Sequence, residues 1–169
     1  MASGDILLKY SAVTTLTQTS LDALASSTTH VAGWESPAID NSTTGYDDIS
    51  VSAVLQVESA GLAVGEIRMY AVSQVTDSAW PDVFDGTESA ETVADTNVRD
   101  AICVLLAATT TDTTASQFYY LTCSSVKAVL GQVPRRFVVF ITQSTGAALE
   151  STADPNQVYW QGTYYQVQA

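Results

Sequence analysis

The sequence predicts an all-β protein, a single-domain antiparallel β-sandwich of the jelly-roll type with seven or eight strands and an N-terminal arm. Short segments rich in β-branched and aromatic residues recur along the 169 residues, with turn residues between them. No segment shows the apolar spacing of a helix of three turns. The length suits one domain with a substantial core, and no Gly- or Pro-rich linker divides the chain.

The first 29 residues predict a strand and an arm that belong to the same domain as residues 30–169. An apolar triplet lies in the predicted strand at 5–10. The stretch that follows, 11–29, is rich in Ser, Thr, Ala and Leu. It is compatible with a turn of helix capped by Ser20, or with an extended arm on a partner or on its own sandwich.

Three strands are predicted in the next part of the chain. Residues 30–39 form a strand near a sheet edge, because Pro37 interrupts it. Residues 49–57 carry apolar side chains at every odd position, which predicts a half-buried antiparallel strand. A second alternating strand follows Gly65, and its apolar face consists of Ile67, Met69 and Ala71.

Residues 77–100 form the longest stretch without a regular pattern, and they include seven Asp and Glu residues. A connection of this length in a compact domain is usually functional or contacts a partner. Asp82, Asp85 and Glu88 offer the oxygen ligands that calcium prefers, and Gly86 allows a tight turn between them. These residues do not match the EF-hand pattern, so a solvated acidic loop without a cofactor is the favoured expectation.

Two further strands are predicted at 101–109 and 117–125. If they form a hairpin, Cys103 and Cys123 lie opposite each other and a disulfide is geometrically conceivable. Two reduced cysteines that act as small buried apolar residues are the favoured alternative. One turn of helix is expected at 126–132, ended by Gly131.

Residues 134–143, with the sequence PRRFVVFITQ, predict a central strand that is buried on both faces. Five consecutive apolar residues follow Arg136, a run too short for a helix of ordinary length. Pro134 suits the first position of such a strand, where its missing N–H removes no ladder bond. The aromatic segment 158–167 predicts a last strand that docks into a sheet.

Composition excludes several classes of partner. Six Lys and Arg against eighteen Asp and Glu give a net charge of −12 and an isoelectric point near 4.1. Such a chain has no basic surface for nucleic acid, and an acidic membrane surface repels it. The N-terminus lacks a basic region followed by an apolar core, so we expect no export through the Sec pathway.

The sequence offers no catalytic signature, and we expect a protein that is not an enzyme. His30 is the single histidine, and no Gly-x-Ser-x-Gly elbow accompanies the many serines. Dinucleotide-binding and Walker A glycine motifs are also absent from the sequence. We therefore expect His30 to be an ordinary residue at the surface or at a strand end.

The aromatic residues raise the possibility of binding. Exposed Trp and Tyr side chains stack on sugars in carbohydrate-binding sandwiches, but the core or a protein interface is their more usual place. Arg135 and Arg136 either anchor an acidic partner or pair with carboxylates of the same chain. The residues predicted to contact a partner are Trp34, Trp80, Phe84, Arg135 and Arg136.

Three segments together resemble a family of small structural proteins of tailed bacteriophages. They are GWES at 33–36 with AIDN at 38–41, WPDVFDGT at 80–87 with SAET at 89–92, and PRRFVVF at 134–140. The resemblance, in order and spacing, covers most of the chain from about residue 6 to residue 167. It carries no catalytic or ligand-binding residues.

The resemblance implies a virion protein similar to the decoration or cement proteins on the exterior of phage capsids. Such a protein is made in the host cytoplasm, and its partners are the major capsid protein and copies of itself. The alternatives are a tail or neck component, a fibre knob, and a carbohydrate- or receptor-binding sandwich module.

Overall fold

A computed structural model describes residues 4–58, 62–152 and 155–168, and its strands and helices confirm the all-β prediction. No helix in these ranges is long and apolar enough to cross a membrane. The strands are β1 (Ile6–Tyr10), β2 (Thr14–Thr15), β3 (Ala32–Glu35), β4 (Ile39–Asp40), β5 (Asp48–Gln56), β6 (Glu66–Ser73), β7 (Ser89–Thr92), β8 (Cys103–Thr110), β9 (Phe118–Cys123), β10 (Arg136–Gln143) and β11 (Gln157–Val167). The helices are α1 (Thr96–Ile102) and α2 (Val126–Leu130).

The strands form two antiparallel sheets that pack face to face, as the sequence predicts. Sheet A has the order β1-β11-β5-β9, and β2 pairs with β11 beside β1. Sheet B has the order β7-β3-β10-β6-β8, and β4 pairs with β10 beside β3. One apolar core fills the space between the two sheets.

Eight of the strands pair in a nested order. The first of them pairs with the last, β1 with β11, and the next pairs inward are β3 with β10, β5 with β9 and β6 with β8. These eight strands correspond to the predicted seven or eight. The three additional strands, β2, β4 and β7, have only two to four residues and pair along β11, β10 and β3.

Strands β5 and β10 show why the sequence pattern identifies them. The odd-numbered residues of β5 point into the core between the sheets and its even-numbered residues point outward. In β10, every residue after Arg136 is buried, because Phe137, Val139 and Ile141 enter the core while Val138 and Phe140 face the outer side of sheet B. The prediction of a central strand buried on both faces is confirmed.

The acidic segment 77–100 covers the outer side of sheet B. Its Phe84 and Val93 join Val138 and Phe140 in a second apolar cluster, and the Phe84 and Phe140 rings meet edge to face at 5.1 Å. The segment also contains β7 and most of α1, so its description as irregular throughout is corrected. A non-local contact explains β7, because it pairs with β3, whereas α1 has a local cap, the Asp95 carboxylate.

The N-terminal arm lies on its own sandwich, which settles the alternatives for residues 11–29. Leu16, Leu21 and Leu24 are buried in the core between the sheets. Short turns, rather than a helix, lead through this stretch. The Leu24 carbonyl accepts hydrogen bonds from the backbone N–H of Leu149 and from the Gln143 side chain.

The hairpin considered for residues 101–109 and 117–125 is not formed. Strand β8 pairs with β6 in sheet B, whereas β9 pairs with β5 in sheet A, so the connection crosses between the sheets. Cys103 and Cys123 are both buried and unbridged, and burial raises the pKa of the Cys103 thiol to about 12. The expected helical turn is confirmed as α2, which ends at Gly131 with a φ of 80°.

Candidate functional site

Two of the predicted partner-binding residues are buried within the chain. Trp34 is fully buried in the core between the sheets, and its indole Nε1 donates a hydrogen bond to Glu88 Oε1 at 2.8 Å. Phe84, which belongs to the acidic segment, is 4% exposed and packs on Phe140 of sheet B. The expectation that Trp34 and Phe84 contact a partner is therefore corrected, because both side chains fill internal apolar space.

The other three predicted contact residues, Trp80, Arg135 and Arg136, have contacts within the chain. The Arg136 guanidinium lies 5.9 Å from the centre of the Trp80 ring, and its Nε is 3.2 Å from Asp40 Oδ2. Arg135 pairs with Asp77 at the surface, where both side chains are mostly exposed. Exposed ion pairs of this kind contribute little to stability, about 0 to 1 kcal/mol. These contacts favour local pairing of the two arginines over an acidic partner.

The structure does not gather the predicted calcium ligands into a site. Among the described residues, no three His, Cys, Asp or Glu side chains are placed to hold a metal ion. Asp82, Asp85 and Glu88 instead accept hydrogen bonds that shape the acidic segment. Their donors are the backbone N–H groups of Ala94, Thr87 and Ser20 and the indole of Trp34. The less favoured calcium alternative for these three residues is therefore not supported within the described part of the chain.

His30 is buried, contrary to the expectation of a residue at the surface or at a strand end. Its Nδ1 lies 2.8 Å from the Thr142 hydroxyl, and its own backbone has a φ of 55°. Burial, with a smaller effect of the Arg68 charge, lowers the pKa of His30 to about 4. The neutral imidazole thus serves as an internal hydrogen-bonding group that joins the end of the arm to β10.

Glu35 is a buried carboxyl group that the sequence did not single out. Its Oε1 accepts hydrogen bonds from the backbone N–H of Asp85 at 3.1 Å and of Gly86 at 2.7 Å. Its Oε2 is buried and makes no hydrogen bond within the described part of the chain. Burial raises the pKa of Glu35 to about 7. The Glu35 side chain therefore binds the acidic segment to β3. The sequence feature that could have identified it is a single Glu inside a short strand that also contains Trp34.

The outer side of sheet A has a different character from the outer side of sheet B. The fifteen outward-pointing residues that define this open face are all uncharged and none of them is buried. At its rim lies Asp48, whose carboxylate accepts hydrogen bonds from the backbone N–H groups of Ile49 and Lys127. The open face consists of Ile6, Leu8, Tyr10, Ser50, Ser52, Val54, Gln56, Phe118, Tyr120, Thr122, Tyr159, Gln161, Thr163, Tyr165 and Val167.

The most exposed apolar residues of the open face lie at its two ends. Tyr120 is 68% exposed and Phe118 is 44% exposed on the edge strand β9. At the opposite edge, β1 and the end of β11 present a larger group with 49–68% exposure. Hydroxyl and amide side chains from β5 and β11 separate these two groups. The larger group consists of Ile6, Leu8, Tyr10, Tyr165 and Val167.

The open face has the composition of a protein-binding surface. The central parts of protein interfaces are depleted in charged residues and enriched in aromatic ones. Contiguous exposed apolar groups on a soluble protein also mark interaction sites. The chain has a net charge of −12, yet the four strands of the open face place one charged residue, Asp48, at its rim. The sandwich therefore has an acidic side and an opposite side that is nearly uncharged.

Two open depressions elsewhere on the surface lack an arrangement for catalysis. One, of about 310 Å³, lies between residues 20–25 and the β3–β7 edge, and Glu91 is the ionisable residue in its described lining. The other, of about 320 Å³, adjoins the start of β10, and Arg135 is the ionisable residue in its described lining. Neither lining pairs a nucleophile with a base.

Comparison with protein families and with curated proteins adds no relative to this picture. No protein-family model matches the chain, and no curated protein matches it significantly. The arrangement of the two sides of the sandwich is therefore the basis for the function proposed below.

Proposed function

We propose that this protein is a non-enzymatic structural component of a virion, a decoration or cement protein that binds the outside of a tailed-phage head and stabilises it. The observation that carries the proposal is the open face, an uncharged and partly aromatic surface on a strongly acidic chain. Its proposed partners are the major capsid protein and copies of the chain itself. The proposed location is the exterior of the capsid, after synthesis in the host cytoplasm.

The strand order supports a jelly roll as the finer form of the fold. Eight strands pair in a nested order, with β1-β11-β5-β9 in one sheet and β3-β10-β6-β8 in the other. Two Greek keys produce this order when a long antiparallel ribbon is rolled up. Jelly rolls are common in viral capsid and lectin domains, although a fold alone does not assign a function. The three phage-like sequence segments favour the capsid among these possibilities.

The two sides of the sandwich suit opposite environments on a head. The open face docks on the shell, where aromatic and hydroxyl side chains are buried without the cost of desolvating a charge. The acidic segment 77–100 then points toward solvent on the other side. A dense negative outer surface keeps decorated particles soluble and separate.

Substitution of Tyr120 by lysine tests the open face as the docking surface. We expect the Tyr120→Lys variant to bind heads of the parent phage, assembled without this protein, at least 30-fold more weakly than the wild type, because an aromatic residue that anchors an interface contributes about 2 kcal/mol or more. The free energy of unfolding should change by less than about 0.5 kcal/mol, because Tyr120 is 68% exposed. Co-sedimentation with the heads measures binding, and urea denaturation measures stability.

Val75→Lys is the matched control, because Val75 is 67% exposed but lies in the turn after β6, outside the open face. This variant should bind heads as the wild type does. Wild-type protein that does not bind heads, or binds purified tails instead, contradicts the decoration proposal. Equal head binding by Tyr120→Lys and wild type contradicts the assignment of the open face.

A further inference from the structure

We infer that two copies of this chain pair antiparallel through the free edge of β1, so that their A sheets join into one continuous sheet around a two-fold axis at Leu8. The inference deepens the self-association in the proposed function, and it rests on the geometry of β1 and its surroundings. Pairing of two copies can be measured on the purified chain, whereas docking can be measured only with phage heads. The dimer inference and the proposed function can therefore fail separately.

The backbone of β1 has a free hydrogen-bonding edge. Among the described residues, β1 pairs with β11 on one side and with no strand on the other. The Asp5 carbonyl accepts a hydrogen bond from Gln168 N–H, and Ser11 N–H donates one to the Gly162 carbonyl. Antiparallel ladders use alternate residues, so odd-numbered residues face β11. The N–H and C=O groups of Ile6, Leu8 and Tyr10 therefore point to the free edge.

The same three residues also expose their side chains. Ile6 is 68% exposed, Leu8 49% and Tyr10 63%, and Tyr165 and Val167 of β11 lie next to them on the open face. Proteins usually protect a sheet edge with proline, a bulge, or charged residues. Strand β1 has the uninterrupted sequence ILLKY, and its single charge, Lys9, alternates to the opposite face of the strand.

Strand β1 and the end of β11 extend beyond the rest of sheet A. Strand β5 pairs with β11 only as far as the contact between Asp48 and Thr163. Beyond that point, Tyr164–Val167 and their β1 partners form a ribbon of two strands within the described residues. An isolated two-stranded ribbon is marginal in water, and a third and fourth strand stabilise it. A second copy supplies both.

A second copy fits this edge better than an unrelated chain because β1 is complementary to itself. With Leu8 opposite Leu8 of the second copy, Ile6 faces the second copy's Tyr10 and each pair exchanges two backbone hydrogen bonds. On the open face, apolar side chains then meet apolar side chains in each of these pairs. Lys9 faces the second copy's Leu7, so the two lysines are not directly opposed, and Asp5 faces the second copy's Ser11. The dimer forms without placing like charges opposite each other, although each chain carries −12.

The self-pairing of Leu8 gives a specific test with two charge variants. Wild type, at 17.9 kDa per chain, should sediment as a dimer of about 36 kDa. Leu8→Lys and Leu8→Glu should each sediment as monomers, with the dimer dissociation constant raised about 100-fold or more, because like charges oppose each other and an apolar contact is lost. An equimolar mixture of the two variants should form dimers again, because the ammonium and the carboxylate then meet.

The control pair is Val75→Lys and Val75→Glu, because Val75 is 67% exposed and lies in the turn after β6, which belongs to sheet B. Both should remain dimers. Circular dichroism of all variants establishes that they are folded. A wild-type monomer, dimeric Leu8→Lys or Leu8→Glu alone, or a mixture that stays monomeric overturns the inference. None of these results depends on the presence of phage heads.

Discussion

Replacement of Trp34 by alanine is expected to lower the free energy of unfolding by about 3 to 5 kcal/mol, the range measured when a buried large aromatic side chain is truncated. Trp34 is fully buried in the core between the sheets. Its loss also removes the indole donor from Glu88, whose carboxylate holds the acidic segment near the arm through Ser20 N–H. Urea denaturation followed by circular dichroism measures the change.

Trp80→Ala is the matched control for this effect, because Trp80 is only partly buried and covers the surface beside Arg136. The expected loss is about 1 kcal/mol, which reflects partial burial and one cation–π contact. A Trp34→Ala variant that is as stable as Trp80→Ala would show that Trp34 is not a core residue. The sequence-based prediction of a partner contact would then stand.

Glu35 is expected to make stability depend on pH in a direction opposite to most carboxylates. Burial raises its pKa in the folded protein to about 7 from an ordinary value of 4.5, so the folded state binds the proton more tightly than the unfolded state. The resulting stabilisation is fully present below about pH 4.5 and is lost as the pH rises through 7. At 1.36 kcal/mol per pKa unit, this loss is on the order of 3 kcal/mol.

The Glu35→Gln variant isolates this contribution, because its amide oxygen can still accept from Asp85 and Gly86 N–H but cannot titrate. His30 has a pKa lowered to about 4, so its contribution grows as the pH rises from 4 to 6.5. Since both proteins contain His30, it cancels in their difference. The stability of wild type relative to Glu35→Gln should fall by about 3 kcal/mol between pH 4.5 and pH 8. A stability difference between wild type and Glu35→Gln that stays constant across this range contradicts a raised pKa of the buried Glu35 carboxyl.

The periodic strands could be predicted from the sequence because their burial follows local patterns. Alternation identified β5, and an unbroken apolar run identified β10. The pairing partners could not be read in the same way. The spacing of Cys103 and Cys123 suits a hairpin, but β8 and β9 find their partners, β6 and β5, in different sheets.

The candidate site was less predictable, since exposure of an aromatic residue depends on which side of a sheet is covered. Trp34 and Phe84 were expected at an interface and are buried, because the arm and the acidic segment close over them. Tyr120 and Leu8 were not among the predicted contact residues, although they lie on the open face. That face combines strands from both ends of the chain, and only the sheet order β1-β11-β5-β9 brings them together.

The most direct test of the proposed function is a cryo-EM reconstruction of the parent virion. We expect density for this sandwich on the exterior of the head in many copies, with Phe118 and Tyr120 of the open face against the shell. The acidic segment 77–100 should face the solvent. A head exterior without this fold, or a bound copy whose open face points away from the shell, contradicts the proposed function.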